Sequence, residues 1–254
     1  MQHILTSTKD RIARIELDRA EKKNAITAGM YQAMADALRA AEADPQVRVV
    51  LIHGKPDCFT AGNDLKDFLE RPPSGDGSPV FQFLECISTA AKPLVAAVAG
   101  PAVGIGTTML LHCDFVYASP NARFQMPFVT LGLVPEAASS LLLPLSAGYH
   151  RAAELLLLGK PFTAEKALAA GIVTEIVPDG ELLDHALEVA ASIAALPPSS
   201  LRMTKALLKT RYGAAVKEAM GAEGEKFRAQ LGSAEAREAM QAFFEKRKPD
   251  FSRF

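Results

Sequence analysis

Glu136 is the most notable candidate for chemistry in the sequence because it stands in an otherwise apolar stretch. It follows Leu133, Val134 and Pro135 and comes directly before alanines and serines that open a predicted helix. A carboxylate in a first helical turn can simply favour the helix dipole. Apolar neighbours would instead raise its pKa and make it a general base. The residues alone leave both interpretations open.

Two glycine-bearing turns, residues 59–65 and 100–106, each follow a predicted buried strand. In open α/β sheets ligands bind beyond the carboxyl ends of strands, and glycine lets the backbone approach them closely. Two converging N–H groups would form an oxyanion hole, with each donor contributing roughly 3 kcal/mol. Either turn alone could equally be an ordinary βα connection. Asp64, inside the first turn, is predicted to order that loop through its carboxylate and backbone N–H groups.

Several classes of site are not supported by the sequence. Neither turn matches a dinucleotide-binding or Walker motif. The five histidines accompany no nucleophile motif and no H-E-x-x-H, and the three cysteines have no metal-ligand spacing, so no metal site is predicted. A net charge of -1 and the lack of a basic-aromatic stripe count against nucleic-acid binding.

The elements that must position these residues alternate between strands and helices. The pattern predicts a hairpin (3–8 and 11–17), strands at 47–52, 94–99 and 115–118, helices at 27–42, 80–91 and 104–112, and a loop from Pro72 to Gly77. Only helices are predicted after Gly180. This indicates an α/β core over residues 1–195 and a helical region over residues 196–254.

Targeting and membrane signals are absent from the pattern. Charged residues appear close to the N-terminus, so no signal peptide is predicted. The longest uncharged run, residues 93–113, is punctuated by glycines and predicts a strand, a turn and a helix, not a membrane span. Reduced cysteines are typical of a cytoplasmic protein, which is the predicted location.

Taken together, several segments resemble the crotonase family, also called the enoyl-CoA hydratase/isomerase superfamily. They lie in matching order over essentially the whole chain: residues 17–26, 59–65, 99–106, 113–118, 159–167 and 170–173. The resemblance implies a spiral core of ββα units with a C-terminal helical region that makes homotrimers or hexamers. It implies an acyl-CoA substrate and no separate cofactor, because coenzyme A is part of the substrate.

The resemblance also implies roles for individual residues. Glu136 would be the catalytic carboxylate, and the N–H groups of Ala61 and Ile105 would form the oxyanion hole. The substrate and its coenzyme A would contact a larger set: Lys23, Asn24, Ala25, Ala61, Gly62, Asn63, Asp64, Leu65 and Phe128. On the basic tail, Phe244, Lys246 and Lys248 could reach a CoA phosphate, on the same or a neighbouring subunit.

The chain departs from the hydratases of this family, which use two glutamates. Thr108 and Phe128 stand at those positions, whereas Glu136 matches the single carboxylate of the Δ3,Δ2-enoyl-CoA isomerases. A double-bond shift needs one base, so isomerisation is the predicted reaction. Hydratase or dienoyl-CoA isomerase activity stays an alternative, as does a non-catalytic CoA- or RNA-binding role. Aryl-CoA dehalogenation is disfavoured because the chain has no tryptophan and carries Glu instead of Asp.

Overall fold

The computed structural model describes residues 3–70, 75 and 77–254. The strands of this part of the chain are β1 (Ile4–Lys9), β2 (Ile12–Leu17), β3 (Val49–His53), β4 (Leu94–Val98), β5 (Pro101–Val103), β6 (Phe115–Ala118), β7 (Arg123–Gln125), β8 (Phe162–Thr163) and β9 (Glu175–Ile176). The α-helices are α1 (Ala28–Ala43), α2 (Leu65–Glu70), α3 (Pro79–Thr89), α4 (Ile105–Thr108), α5 (Ser139–Ala147), α6 (Tyr149–Leu158), α7 (Ala164–Ala169), α8 (Leu182–Ala194), α9 (Pro198–Thr210), α10 (Gly213–Leu231) and α11 (Ala234–Phe244).

A six-stranded sheet in the order β1-β2-β3-β4-β6-β9 forms the centre of the fold. The hairpin of β1 and β2 is antiparallel, and all the other pairs in the sheet are parallel. Only two residues separate the end of β4 from β5, the first strand of a smaller sheet in the order β5-β7-β8. The chain therefore passes from one sheet to the other at residues 99–100, where the second glycine-bearing turn begins.

Strands β3 and β4 are buried on both faces, as their uninterrupted apolar sequences predict. In β3, Val50 and Ile52 contact the larger core cluster, which also contains residues of α1 and α3. Val49 and Leu51 point the other way, into a second cluster that includes the buried face of α8. Helices on both sides of a mostly parallel sheet confirm the predicted α/β class.

One predicted element differs in detail from the structure, and another lies mostly outside the described residues. The helix predicted over 104–112 is a single turn of α-helix, α4, followed by a 3-10 turn over Met109–His112. The tighter turn follows two β-branched threonines, which lower helix propensity. The loop predicted from Pro72 to Gly77 lies outside the described residues except for Gly75 and Gly77.

The C-terminal helices pack onto the core. Phe227 of α10, with Ala236 and Met240 of α11, belongs to the same cluster as the sheet residues. Because these helices share the core cluster, the structure does not test the predicted division of the chain at residue 195, which stays a prediction. No helix in the described ranges is long and apolar enough to cross a membrane.

Candidate active site

The turn at residues 59–65 is fixed by Asn24, whose side chain is fully buried. Its amide nitrogen donates to the carbonyls of Cys58 and Phe59, both at 3.0 Å, and its Oδ1 accepts the Arg19 N–H at 2.7 Å. The family resemblance predicted that Asn24 contacts substrate. In the structure the hydrogen bonds of its side chain are made with this turn and with Arg19. A buried amide with these partners stabilises the loop and offers no free group to a ligand.

The prediction that Ala61 supplies an oxyanion donor is not supported by the geometry. The Ala61 N–H donates to the carbonyl of Lys23 at 2.9 Å, so it is already paired. Gly62 N–H is also paired, with the Thr60 hydroxyl at 3.1 Å. Asn63 N–H, by contrast, has no hydrogen-bond partner among the described residues. Asn63 and Ile26 form a parallel bridge, in which the flanking groups Gly62 C=O and Asp64 N–H make the bonds.

Sequence reasoning did not select the unpaired Asn63 N–H, because it placed the donor by position within the motif. The available signal was the bridge itself. In this parallel bridge the N–H and C=O groups of Ile26 bond the residues on either side of Asn63. The N–H of Asn63 itself therefore points away from Ile26 and takes no part in the bridge. Only the long-range pairing of residue 63 with residue 26 reveals it.

The second turn leaves the N–H of Ile105 without a partner among the residues described, as the prediction for Ile105 requires. Gly104 adopts φ 57° and ψ −120°, and its N–H donates to Gln125 at 2.8 Å. The carbonyl of Gly104 then accepts the N–H groups of Thr107 and Thr108. The helix start therefore leaves Ile105 N–H available to an acceptor outside the helix.

The two turns are packed directly against each other. Thr60 and Ala102 form a parallel bridge between them. A Cβ on Gly62 would lie 2.7 Å from the Val103 carbonyl oxygen, and a Cβ on Gly106 would lie 2.5 Å from Thr60 Cγ2. Glycine is required at both positions because any side chain would push the turns apart. This contact brings the segments carrying the Asn63 and Ile105 N–H groups together.

Glu136 lies after a 3-10 turn over Val129–Leu131 and just before α5. Part of the residue remains accessible to solvent, but burial of the carboxylate raises its pKa to about 8. A hydrogen bond from the Thr108 hydroxyl opposes that rise, and the negative charge of Glu223 adds to it. A carboxyl group with a pKa near neutrality can accept and return a proton during turnover.

Thr108 and Phe128, which the family resemblance places at the hydratase glutamate positions, have different environments. Thr108 is fully buried and its hydroxyl donates to Glu136. Phe128 is 5% exposed and packs in the main core cluster, while its carbonyl accepts the Leu133 N–H at 2.8 Å. Its packing supports the segment that leads to Glu136.

Tyr31 of α1 also contacts the site, although no sequence motif selects it. Its buried hydroxyl donates to the Asn63 side-chain oxygen at 2.5 Å. Burial raises the pKa of Tyr31 well above its ordinary value, and the charge of Glu136 raises it further. The only signal in the sequence was a tyrosine on the apolar face of a helix, where its hydroxyl needs a partner.

Asp64 orders the first turn, as predicted. Its Oδ1 accepts the N–H groups of Lys66 and Asp67, both at 3.2 Å, and its Oδ2 accepts Arg19 at 2.8 Å. Burial alone would raise the pKa of Asp64, but the bonds from Arg19 and the backbone outweigh it and lower the pKa. Asp64 thus caps α2, which begins at Leu65.

The remaining predicted contacts lie at the surface. Lys23 is exposed and Ala25 half-buried, and their carbonyls accept Ala61 N–H and the Arg19 guanidinium respectively. Phe244, at the end of α11, is 53% exposed. Lys246 and Lys248 follow it, exposed on the tail. The start of α11 packs against Gly132, and the tail begins after the 11 residues of this helix, which span roughly 16 Å.

Among the described residues there is no cluster of three or more His, Cys, Asp or Glu side chains that could hold a metal ion. His112 is buried and its Nε2 bonds the Ala137 carbonyl at 2.8 Å. Burial lowers the pKa of His112 to about 4. It is therefore neutral at physiological pH and serves as a structural donor.

Comparison with known proteins agrees with this fold. The enoyl-CoA hydratase/isomerase family profile matches residues 7–253. A crystal structure of an enoyl-CoA hydratase/isomerase from Pseudoalteromonas atlantica T6c has a TM-score of 0.94 and 45% identity, covering 99% of this chain and 100% of that one. The chain belongs to the enoyl-CoA hydratase/isomerase family, which confirms the predicted resemblance.

Individual relatives carry different activities in their names. Human enoyl-CoA delta isomerase 2 is 38% identical over 215 residues, which are 82% of this chain and 54% of that protein. The chain therefore spans about half the length of that relative. The 2,3-dehydroadipyl-CoA hydratase of Escherichia coli K12 is 32% identical over 254 residues, covering 99% of both chains. Both an isomerase and a hydratase are thus among its relatives.

Proposed function

We propose that this chain is an acyl-CoA enzyme that converts 3-enoyl-CoA to 2-enoyl-CoA with Glu136 as its single proton shuttle. The carboxylate removes a proton from C2, and the electron pair delocalises over C3 and C4 and onto the thioester oxygen. Return of the proton to C4 leaves the double bond between C2 and C3. The proton removed is the proton returned, so no water is consumed.

One observation carries this proposal: the partner of Glu136 is the hydroxyl of Thr108, not a second carboxylate. Hydration of a 2-enoyl-CoA must both activate water and protonate carbon, which are separate acid and base tasks. A threonine hydroxyl cannot act as a base near neutral pH. Glu223, the other carboxylate whose charge acts on Glu136, is occupied by the backbone of residues 138 and 140.

The N–H groups of Asn63 and Ile105 support the proposal from the substrate side. Both are unpaired among the described residues, and they lie on turns that touch each other. We assign them as the donors to the dienolate oxygen, in place of the predicted Ala61. Preorganised N–H groups stabilise the charge where it develops and need no rearrangement during the reaction.

For coenzyme A, we propose that the exposed ammonium of Lys23 contacts a phosphate. The carbonyls of Lys23, Asn24 and Ala25 each already accept a hydrogen bond from the protein. The side chain of Lys23 is then the group of this segment with capacity left for an anion. Lys246 and Lys248 keep their proposed role toward a CoA phosphate held by a neighbouring subunit.

The alternative with a specific observation in its favour is hydration, because the Escherichia coli hydratase matches almost the full length of both chains. A turnover panel separates the two activities. Purified protein is given trans-3-hexenoyl-CoA and trans-2-hexenoyl-CoA separately, and products are resolved by liquid chromatography and mass spectrometry. We expect the 2-enoyl isomer from the first substrate and little 3-hydroxyacyl-CoA from the second. Efficient hydration of the second substrate without isomerisation of the first contradicts the proposal.

A further inference from the structure

The two residues that follow Glu136 have an unusual backbone conformation. Ala137 and Ala138 have φ values of 57° and 56°, in the left-handed region that residues with a Cβ avoid. Two such alanines in succession persist only where their surroundings hold them. Both are buried, and they join Glu136 to the start of α5.

The left-handed pair is held from two sides. On one side, His112 Nε2 bonds the carbonyl of Ala137 at 2.8 Å. On the other, Glu223 Oε2 accepts the Ala138 N–H at 2.6 Å. Glu223 Oε1 accepts both the N–H of Ser140, at 2.9 Å, and its hydroxyl, at 2.5 Å.

Glu223 comes from α10, far along the chain in the C-terminal helical region. It is only 7% exposed, and a carboxylate that is buried needs compensating donors. Its three bonds with residues 138 and 140 are all received from N–H or O–H donors, which suits the ionised form. Burial raises the pKa of Glu223, and the bonds from Ser140 and the backbone oppose that rise.

We propose that Glu223 is a positioning residue that fixes the left-handed pair Ala137–Ala138 and thereby aims the carboxylate of Glu136 at the substrate. This inference rests on the proposed role of Glu136 as the base. It gives the C-terminal helices a part in the reaction, in addition to any part in assembly. The helix α10 thus reaches the reacting carboxylate through one turn of backbone.

A second effect of Glu223 makes the inference measurable. Its negative charge adds to the burial that raises the pKa of Glu136. The titratable groups facing Glu136 are Tyr31 from α1 and Glu223 from α10, with His112 acting through the Ala137 carbonyl. Burial raises the pKa of Tyr31 and lowers that of His112 to about 4, so both are neutral near pH 7. Replacing Glu223 with a neutral residue should therefore lower the pKa of Glu136.

The test compares Glu223→Gln with the unmodified protein and with Glu225→Gln, an exposed position on the same helix. Turnover of trans-3-hexenoyl-CoA is followed from pH 5 to 10. Exchange of the C2 protons of hexanoyl-CoA in deuterium oxide is followed by NMR. The exchange reports proton removal without needing a double-bond shift.

For Glu223→Gln we expect kcat and the exchange rate to fall between about ten- and a hundredfold, because small misplacement of a reacting group is costly. KM should change less than about twofold, since Glu223 does not touch substrate. The acidic limb of the pH profile should move to lower pH. Glu225→Gln should match the unmodified protein in every readout.

The inference is overturned if Glu223→Gln keeps the unmodified kcat, or if kcat falls while the acidic limb stays in place. A variant that does not fold is replaced by Ser140→Ala, which removes one donor to Glu223 and leaves its charge. Ser140→Ala should lower kcat severalfold at constant KM, and an unchanged kcat also overturns the inference. If the unmodified protein exchanges C2 protons but does not isomerise 3-enoyl-CoA, the proposed isomerase activity is contradicted and the positioning role of Glu223 is not. Absence of both overturns the two proposals together.

Discussion

The hydroxyl of Thr108 donates a hydrogen bond to the carboxylate of Glu136, joining α4 to the turn before α5. This bond favours the ionised carboxylate and opposes the burial that raises the pKa of Glu136 to about 8. A base acts only when ionised, so the bond increases the active fraction near neutral pH. Thr108 thus adjusts the pKa of Glu136, but it does not act as a second base.

Removal of this hydroxyl should shift the pH dependence of the reaction. In Thr108→Val the pKa of Glu136 rises further, so the acidic limb of kcat/KM moves to higher pH. Activity at pH 7 falls, and it recovers as the pH is raised beyond the new limb. Thr108→Ser keeps the hydroxyl and serves as the control, with its limb expected near that of the unmodified protein. A limb that stays in place in Thr108→Val contradicts the role given to this bond.

Asn63→Pro should separate the two candidate oxyanion donors of the first turn. Proline removes the N–H, and at Asn63 that N–H makes no bond within the described part of the protein. We expect kcat to fall about a hundredfold or more, with a melting temperature close to that of Asn63→Ala, which loses the same contact with Tyr31. Ala61→Pro, in contrast, breaks the bond to the Lys23 carbonyl and should lower the melting temperature.

Asn63→Ala is the control for the side chain, since it keeps the N–H but loses the contact with Tyr31. Its kcat should lie well above that of Asn63→Pro. Equal losses in the two variants would show that the amide side chain, not the backbone, carries the effect.

Gly106→Ala tests whether the contact between the turns matters. The new Cβ would lie 2.5 Å from Thr60 Cγ2, and Thr60 is fully buried and cannot yield freely. The shift would displace Ile105, so we expect kcat to fall at least about tenfold. Gly221→Ala is the matched control because nothing lies within 4 Å of its added Cβ. In the exposed helix α10 that alanine should raise stability by up to about 1 kcal/mol.

Periodicity and turn residues predicted most of the main sheet. The hairpin, the buried strand before residue 53 and the strand Phe115–Ala118 appear as expected, because buried parallel strands leave uninterrupted apolar sequences. Glu136 also stood out as a lone carboxylate, and residues 100–106 as a glycine-bearing turn, within which the family resemblance selected Ile105. These signals are local, so a single sequence contains them.

Features that depend on distant pairing could not be predicted in this way. Assigning Asn63 instead of Ala61 requires the bridge between residues 26 and 63. From the sequence alone Asn24 resembles any polar surface residue, because its bonds to Cys58 and Phe59 join positions more than 30 residues apart. Glu223 lies 83 residues from Ser140 and 85 from Ala138, and nothing local distinguishes it from its neighbour Glu225.

The assembly predicted from the sequence has a specific surface to test. Helix α9 exposes three large apolar side chains, Met203 at 59%, Leu207 at 78% and Leu208 at 72%. Exposed apolar clusters commonly mark contacts between subunits. We expect light scattering to give a homotrimer or hexamer, and Leu207→Glu to shift it toward smaller species. A monomer at micromolar concentration contradicts the prediction.

Glu136→Gln should exchange activity for stability at high pH. Folding raises the pKa of this carboxyl from 4.5 to about 8, so the folded protein holds the proton more tightly than the unfolded chain. The stabilising contribution is complete below about pH 4.5 and is lost as the pH rises through about 8. Glutamine carries no such proton, so the variant should avoid the loss. We compare the free energy of unfolding of the variant with that of the unmodified protein. This difference should favour the variant at pH 9 by at least about 1 kcal/mol more than at pH 5, or roughly 2–4 °C in Tm.

The same variant should bind acyl-CoA normally and lose nearly all turnover, because it keeps the size of the side chain but has no basic oxygen. Thermal unfolding at pH 5, 7 and 9, isothermal titration with hexanoyl-CoA and the isomerase assay measure the three effects together. Glu225→Gln, on the surface of α10, should leave both Tm and turnover at their unmodified values at each pH. A stability difference between Glu136→Gln and the unmodified protein that does not grow from pH 5 to pH 9 shows that the carboxyl is not destabilised by burial. A double-bond shift that survives in Glu136→Gln refutes its role as the proton shuttle.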